Sequence, residues 1–94
     1  MDRVWGTIRK DHRITAGFDM ECPPFFWKRE DALVAVLEAL CLRLEAPHPV
    51  WLNKHTREMD RFGFTRFFSD DFIESIYFDA LELEYISERP GNQP

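Results

Sequence analysis

The sequence predicts an α+β domain in which a three-stranded antiparallel sheet is covered on one face by two helices, in the order β-β-α-α-β. Apolar and polar residues alternate over 3–22 and again over 75–87, and an apolar segment with helical spacing covers 29–45. The chain has 94 residues, of which 45% are hydrophobic, enough for one modest core. We therefore expect a single domain over 1–88 and a frayed tail over 89–94.

The N-terminal segment predicts a β-hairpin formed by an N-terminal strand and a regularly alternating second strand. One face of the second strand carries Ile14, Ala16, Phe18, Met20 and Cys22. Pairing Ile8 with Ile14 keeps the apolar residues of both strands on one face and requires a three-residue loop, Lys10-Asp11-His12. A two-residue loop would mix the faces. The same register places Gly6 opposite Ala16.

The strongest helical signal lies over 29–45. Its first turn contains Glu30 and Asp31 and its last turn contains Arg43, which suits the helix dipole. One stripe is formed by Leu33, Leu37, Leu40, Cys41 and Leu44, and it is widened by Val34, Val36 and Leu42. So wide an apolar surface must be covered on more than one side. It is buried either between the sheet and a second helix or in a homodimer interface.

The second half of the chain predicts a shorter helix and one more strand. The helix begins at 50 or 53, with Asn53 as a candidate N-cap, and ends at 62 before Gly63. Residues 64–72 read as a turn-rich aromatic connection, in which Ser69, Asp70 and Asp71 could cap a short helical turn. Residues 72–80 fit both helical and strand spacing. The strand over 75–87 places Leu81, Leu83 and Tyr85 on one face and Glu82 and Glu84 on the other.

Charge and cysteine content narrow the class of protein. The net charge is −5, and the C-terminal third is the most acidic part, which disfavours a general nucleic-acid binder. No apolar run approaches the roughly 20 residues that span a bilayer, and no secretion signal is apparent, so we expect a cytoplasmic protein. Cys22 and Cys41 form no metal-binding or redox pair and are expected to be buried free thiols.

Four segments carry a resemblance to other proteins. They are Trp-Leu-Asn-Lys-His-Thr-Arg-Glu at 51–58, Arg-Phe-Gly at 61–63, Asp-Asp-Phe-Ile-Glu at 70–74 and Phe-Asp-Ala-Leu-Glu-Leu-Glu-Tyr-Ile at 78–86. Together they cover less than half of the chain. The chain resembles a group of small, functionally uncharacterised bacterial proteins. The resemblance implies an intracellular bacterial setting and no particular activity.

The leading functional hypothesis is a non-catalytic protein-interaction or regulatory module. Aromatic residues and arginine on a charged surface are typical anchors of an interface. The candidates are Trp5, Arg9, Phe25, Phe26 and Trp27. The aromatic rings could equally close the ends of a small core. The edges of the sheet could pair with another chain, so the partner is either an unknown protein or a second copy.

A nucleic-acid-associated role is the alternative. Within 54–68, basic side chains alternate with phenylalanines, which is the composition of a single-strand binding platform. The candidates are Lys54, Arg57, Arg61, Phe64 and Arg66. Phenylalanines packed beneath a connection would give the same pattern, and the acidic residues that follow would oppose a polyanion. Nucleic acid is therefore the less favoured partner.

An enzyme or a metal-binding protein is the third hypothesis. The metal candidates are His48, His55, Asp70 and Asp71, but their spacing matches no standard zinc site. The adjacent aspartates are more typical of a helix cap, and alternating glutamates are more typical of a solvated strand face. The sequence contains no glycine-rich phosphate loop and no nucleophile signature. No cofactor and no catalytic residue is predicted.

Overall fold

The computed structural model describes residues 2–87 and confirms the α+β class, with two helices and an antiparallel sheet. The elements are β1 (Asp2–Lys10), β2 (Arg13–Cys22), α1 (Glu30–Leu44), α2 (Asn53–Phe62), β3 (Phe64–Phe67) and β4 (Ala80–Ile86), with short 3-10 turns at Phe26–Lys28 and Ser69–Asp71. The strand order is β2-β1-β4-β3. The predicted tail at 89–94 lies outside the described residues. No helix within residues 2–87 is long and apolar enough to cross a membrane.

The prediction of a three-stranded sheet is wrong, because the sheet has four strands. The extra strand is β3, which lies in the segment predicted as an aromatic connection and pairs antiparallel with β4. Thr65 and Phe67 are buried on the side of the helices, whereas Phe64 and Arg66 face the other side. A four-residue strand contains too few alternations to be distinguished from a loop by sequence pattern.

The register of the hairpin also differs from the prediction that Ile8 faces Ile14. Ile8 pairs with Ala16 instead, and the pairing shifts between Ile8 and Arg9. Thr15 is the extra residue of this β-bulge and donates a hydrogen bond from Oγ1 to the Ile8 carbonyl. The bulge moves Ile14 to the side opposite the helices, where it pairs with Arg9. A two-residue turn can therefore connect the strands without exposing the core.

Gly6 lies where α1 approaches the sheet most closely. It pairs with Phe18 rather than with Ala16 as predicted. A Cβ atom at this position would lie 3.1 Å from Cδ1 of Leu44 and 3.5 Å from Cδ2 of Leu40. The space above this glycine is therefore filled by leucine side chains of α1.

The hairpin turn consists of Asp11 and His12, not of three residues as predicted. Both have left-handed backbone conformations, with φ angles of 53° and 66°. This conformation costs a non-glycine residue roughly 1 kcal/mol or more.

We expect His12→Gly to raise the free energy of unfolding by about 1 kcal/mol, because glycine adopts the left-handed conformation without strain. The extra entropy of glycine in the unfolded chain reduces this gain. Urea denaturation tests this expectation, and His12→Ala, which keeps the strain, should give no gain.

The core lies between the helices and one face of the sheet. From the sheet, Val4, Ile8, Leu81 and Leu83 are buried, and they meet Leu37, Leu40, Cys41 and Leu44 of α1. Helix α1 packs mainly on β1, on β2 and on the 3-10 turn at Phe26–Lys28. Its predicted stripe is confirmed. Of the three widening residues Val36 is buried as well, whereas Val34 is half-exposed and Leu42 is 77% exposed.

Helix α2 has the predicted end but a different N-cap. The helix begins at Asn53, and the capping residue is Leu52, whose N–H donates to Nδ1 of His55 at 2.9 Å. Gly63 follows the helix with a φ of 64°, as its sequence position predicted. The predicted turn at Ser69–Asp71 is also present.

The C-terminal strand is shorter than predicted. It covers Ala80–Ile86 rather than 75–87, and residues 72–79 form no regular helix or strand. Its alternation is as predicted, because Leu81 and Leu83 are buried in the core and Glu82 faces the other side.

Candidate functional site

The candidate site lies on the side of the sheet opposite the helices, which we call the open face. Its strand residues surround a shallow depression of about 350 Å³. The depression is lined by Trp5, Thr7, Arg9, Ile14, Phe64, Arg66, Glu82 and Glu84. These residues come from all four strands, so the site exists only when the sheet is assembled.

A buried carboxylate lies at the centre of the open face. The Glu82 side chain is only 7% exposed, although it belongs to the uncovered side of the sheet. Arg9 Nε donates to Glu82 Oε1 at 2.9 Å, and Arg66 Nε donates to Oε2 at 2.8 Å. Thr7 Oγ1 donates to Oε1 at 3.3 Å. Thr7 and Arg66 are the direct neighbours of Glu82 on β1 and β3, so the strand register itself builds this cluster.

The two arginines of this cluster retain capacity for a further anion. Their side chains are 40% and 51% exposed. A guanidinium has five N–H donors, and each of these uses Nε for Glu82. Arg9, Arg66 and Glu82 together carry a net charge of +1, and Glu84 brings the charged lining of the depression to zero. The remaining N–H groups of the two arginines can still donate to a carboxylate or a similar small anion.

Apolar side chains border this charged centre. Trp5 lies across Gly17, where a Cβ atom would come within 3.3 Å of the indole Nε1. Ile14 is exposed on the open face together with Trp5. Phe64 lies on the same face, but beyond the charged centre, and the centre of its ring is 5.2 Å from the guanidinium carbon of Arg66. Thus the open face combines a cationic centre with exposed aromatic and aliphatic surface, the composition of a binding hot spot.

A second depression continues from the first toward the hairpin turn. It has a volume of about 520 Å³ and shares Arg9, Arg66 and Glu82 with the first. Phe68, which is 50% exposed, and His12 extend the surface there. The arginine cluster therefore lies between two depressions and not at the end of one.

The predicted interaction residues occupy two different environments. Trp5 and Arg9 lie on the open face. Phe26 and Trp27 are buried in the core, and Trp27 Nε1 donates to Asp60 Oδ1 at 2.8 Å. Phe25 is partly exposed and contacts the Trp27 ring. For Phe26 and Trp27 the structure thus matches the interpretation that rings close the end of the core.

The predicted nucleic-acid residues are also divided. Lys54, Arg57 and Arg61 lie on the outer surface of α2 around a depression of about 610 Å³. Phe64 and Arg66 belong to the open face, and Lys54 lines a groove with them. The five side chains are thus divided between the outer surface of α2 and the open face.

Acidic partners reduce the positive charge of α2. Lys54 Nζ lies 3.3 Å from Asp71 Oδ1. On the same helix, Asp60 accepts hydrogen bonds from Lys28 and Trp27, which hold the pKa of its carboxyl below the usual range. Glu58 accepts a hydrogen bond from the Thr65 hydroxyl. The helix surface thus carries both signs of charge.

The metal candidates lie partly together. His55 is fully buried, and its Nε2 is 3.8 Å from Asp71 Oδ2, whereas His48 and Asp70 are exposed. Residues 2–87 contain no group of three or more His, Cys, Asp or Glu side chains able to hold a metal ion.

The two cysteine side chains are protonated thiols at neutral pH, because burial raises the pKa of Cys22 and of Cys41 to about 11. Both are buried free cysteines, as predicted.

Sequence reasoning missed Glu82 as a site residue. Alternation assigned it to a solvated strand face, and it does lie on the uncovered side, but its two arginine partners bury it. One partner is 73 residues away and the other 16 residues away. Glu82 could have been identified as a site residue only from the order of the strands in the sheet.

A comparison with protein-family models, curated proteins and solved structures found no match, so the resemblance to small bacterial proteins stays a prediction.

Proposed function

We propose that the protein is a non-catalytic interaction module that binds an acidic, partly apolar segment of a partner protein on the open face of its sheet. The observation that carries this proposal is the cluster of Arg9, Glu82 and Arg66 at the centre of that face. A buried carboxylate holds two half-exposed guanidiniums in fixed positions, so little side-chain entropy is lost when they bind a ligand.

The chemistry of the open face supports this choice of partner. A carboxylate placed between Arg9 and Arg66 would neutralise the cluster and could accept charge-assisted hydrogen bonds. Trp5, Ile14 and Phe64 offer apolar contacts on either side of that point. Tryptophan and arginine are the residues most enriched among binding hot spots. An aspartate or glutamate flanked by aromatic or aliphatic residues fits both features.

The charge balance of the face favours a polypeptide over a nucleic acid. Besides Arg9 and Arg66, the open face carries Arg3, which forms an ion pair with Asp19. These three arginines share the face with four acids, Asp19, Glu21, Glu82 and Glu84, which gives a net charge of −1. Nucleic-acid binding draws its affinity from several phosphate contacts on a basic surface. A peptide segment with one or two carboxylates, in contrast, needs only the central arginine cluster in order to bind.

Selection of peptides from a random phage-displayed library, with the purified chain as bait, tests this proposal. We expect the enriched peptides to contain Asp or Glu next to aromatic or aliphatic residues. A variant with both Arg9→Gln and Arg66→Gln should bind a synthetic copy of the best peptide about tenfold more weakly or worse. The matched control replaces two other arginines, Arg57→Gln and Arg61→Gln on α2, and should bind normally.

Trp5→Ala provides a second variant that leaves the Glu82 cluster intact, and it too should weaken peptide binding. Near-ultraviolet circular dichroism verifies that each variant is folded. Enrichment of basic peptides, or equal binding by the open-face and α2 variants, would contradict the proposal. Salt-dependent binding of a single-stranded oligonucleotide that is lost on joint replacement of Arg57, Arg61 and Arg66 would favour the nucleic-acid role instead.

A further inference from the structure

We infer that two copies of this chain pair through the free edges of their β3 strands, in an antiparallel register that places Thr65 of one copy opposite Thr65 of the other. The result is one continuous eight-stranded sheet. This inference does not rest on the proposed function, because it concerns the backbone edge of β3, although the side chains of Phe64 and Arg66 belong to both surfaces.

The backbone of β3 has hydrogen-bonding groups that point away from the sheet. Within residues 2–87, β3 pairs only with β4. The Tyr85 N–H donates to the Gly63 carbonyl at 2.7 Å, which fixes the alternation of the antiparallel ladder. The N–H and C=O of Thr65 therefore point toward β4, and those of Phe64 and Arg66 point toward the free edge.

The proposed register uses every one of these outward groups. When Phe64 of one copy lies opposite Arg66 of the other, each pair exchanges two backbone hydrogen bonds, and the two-fold axis generates the pair a second time. The Arg66 carbonyl also interacts with the His55 ring, but a carbonyl oxygen has a second lone pair for the edge. A register shifted by two residues would place Arg66 opposite Arg66 and lose hydrogen bonds.

The side chains along this edge are self-complementary in the same register. Within one chain the Arg66 guanidinium already lies 5.2 Å from the centre of the Phe64 ring. Pairing sets each of these side chains beside the other type from the second copy, which repeats the cation–π arrangement. Phe62 and Phe68 flank β3 at its two ends and are 69% and 50% exposed. Three exposed or half-exposed aromatic rings on one short edge indicate an interface.

The other edge of the sheet has features that oppose pairing, and β3 lacks them. Strand β2 contains the bulge at Thr15 and the charged side chains Arg13, Asp19 and Glu21. Bulges and charges on an edge strand are known protections against edge-to-edge association. The only charge on β3 is Arg66, which is paired with Glu82 of the neighbouring strand. Self-association is therefore expected at β3 and not at β2.

A groove lies between helix α2 and the edge of β3. Lys54, Glu58 and Phe62 line a groove of about 260 Å³ together with the β3 side chains, so the edge faces an open groove. The helix contributes one positive, one negative and one aromatic side chain to the groove wall. A second copy thus meets a surface of mixed charge, not one of uniform sign.

Cysteine cross-linking between two single variants tests the register directly. Phe64→Cys and Arg66→Cys are purified separately, mixed and oxidised. The proposed pairing predicts a disulfide-linked dimer that contains one chain of each variant, with far less dimer from either variant alone. The native thiols at Cys22 and Cys41 are buried, with pKa values of about 11, and should not compete. Light scattering of the unmodified chain should give twice the monomer mass of 11.2 kDa.

The control mixture places cysteines at the other edge, with Ile14→Cys and Asp19→Cys, and should yield no cross-link. A monomer mass for the unmodified chain, or equal cross-linking at both edges, overturns the inference. Arg9 belongs to β1 and not to β3. Arg9→Gln should therefore weaken peptide binding, whereas the cross-link between the two cysteine variants should still form when they also carry this substitution. Phe62→Lys should weaken dimerisation while peptide binding persists. These two variants show which of the proposals has failed if only one of them does.

Discussion

Replacing Glu82 with glutamine is expected to lower the free energy of unfolding by about 2 kcal/mol. Glutamine keeps the shape of the side chain but removes the negative charge to which both Arg9 and Arg66 donate hydrogen bonds. Breaking a buried ion pair by removing one partner typically costs 3–5 kcal/mol. The expected cost is smaller here because both guanidiniums are about half-exposed and water screens their mutual repulsion.

A double-mutant cycle measured by urea denaturation separates repulsion from a general loss of packing. In the parent chain, Arg9→Gln should be destabilising, because it removes a partner of the buried Glu82 carboxylate. In the Glu82→Gln background the same change should cost less or should even stabilise, because it relieves repulsion from Arg66. Raising the salt concentration should also reduce the cost of Glu82→Gln. Additive effects together with no response to salt would contradict this electrostatic account.

The sequence could predict those elements whose hydrophobic period repeats several times. Apolar residues recur at helical spacing over about four turns of helix α1, and both ends of the helix were predicted to within one residue. Strand β1 alternates over its whole length, and Trp5, Thr7 and Arg9 lie on the side away from the core. The alternation of Leu81, Leu83 and their acidic neighbours was predicted for the same reason.

Features that depend on a single residue or on a few residues were not predictable in this way. The bulge at Thr15 inserts one residue into β2 and reverses the side on which Ile14 lies, but no sequence period marks such an insertion. Strand β3 contains only one full alternation, Thr65 and Phe67 against Phe64 and Arg66. In both cases the tertiary pairing decides the local structure.

The candidate site was only half visible in the sequence for a related reason. Trp5 and Arg9 could be placed on one face because they belong to one strand. Phe64 and Arg66 were assigned to a different functional hypothesis, since nothing in the sequence shows that their strand lies two positions from β1. Pairing of β1 and β3 on either side of β4 joins the two sets around Glu82. The sheet order thus converts two separate candidate lists into one surface.

His55 is expected to make the fold sensitive to mild acid. The side chain is fully buried against the rings of Trp51 and Phe67. Burial lowers the pKa of His55 below its usual value of 6.5, and the nearby Asp71 carboxylate only partly offsets this effect. The imidazole therefore stays neutral in the folded chain at a pH where it is already protonated in the unfolded chain.

The sign of the pH dependence follows from this difference. Well above pH 6.5 the ring is neutral in both states and contributes no slope. Below pH 6.5 the unfolded chain takes up a proton that the folded chain does not, so the free energy of unfolding falls, with a limiting slope of about 1.4 kcal/mol per pH unit. The fall ends at the pKa of the folded state. The lowered pKa values of Asp60 and Asp71 act below pH 3.8, outside this window.

His55→Gln separates this titration from the structural role of the ring. A glutamine at the third helical position can accept the hydrogen bond that Leu52 N–H now donates to Nδ1, but it cannot be protonated in this range. Urea denaturation at a series of pH values between 7 and 5 should show a steeper loss of stability for the parent chain than for the variant. Parallel curves would mean that His55 does not titrate differently in the two states. A parent chain that gains stability relative to the variant would mean that attraction to Asp71 outweighs burial.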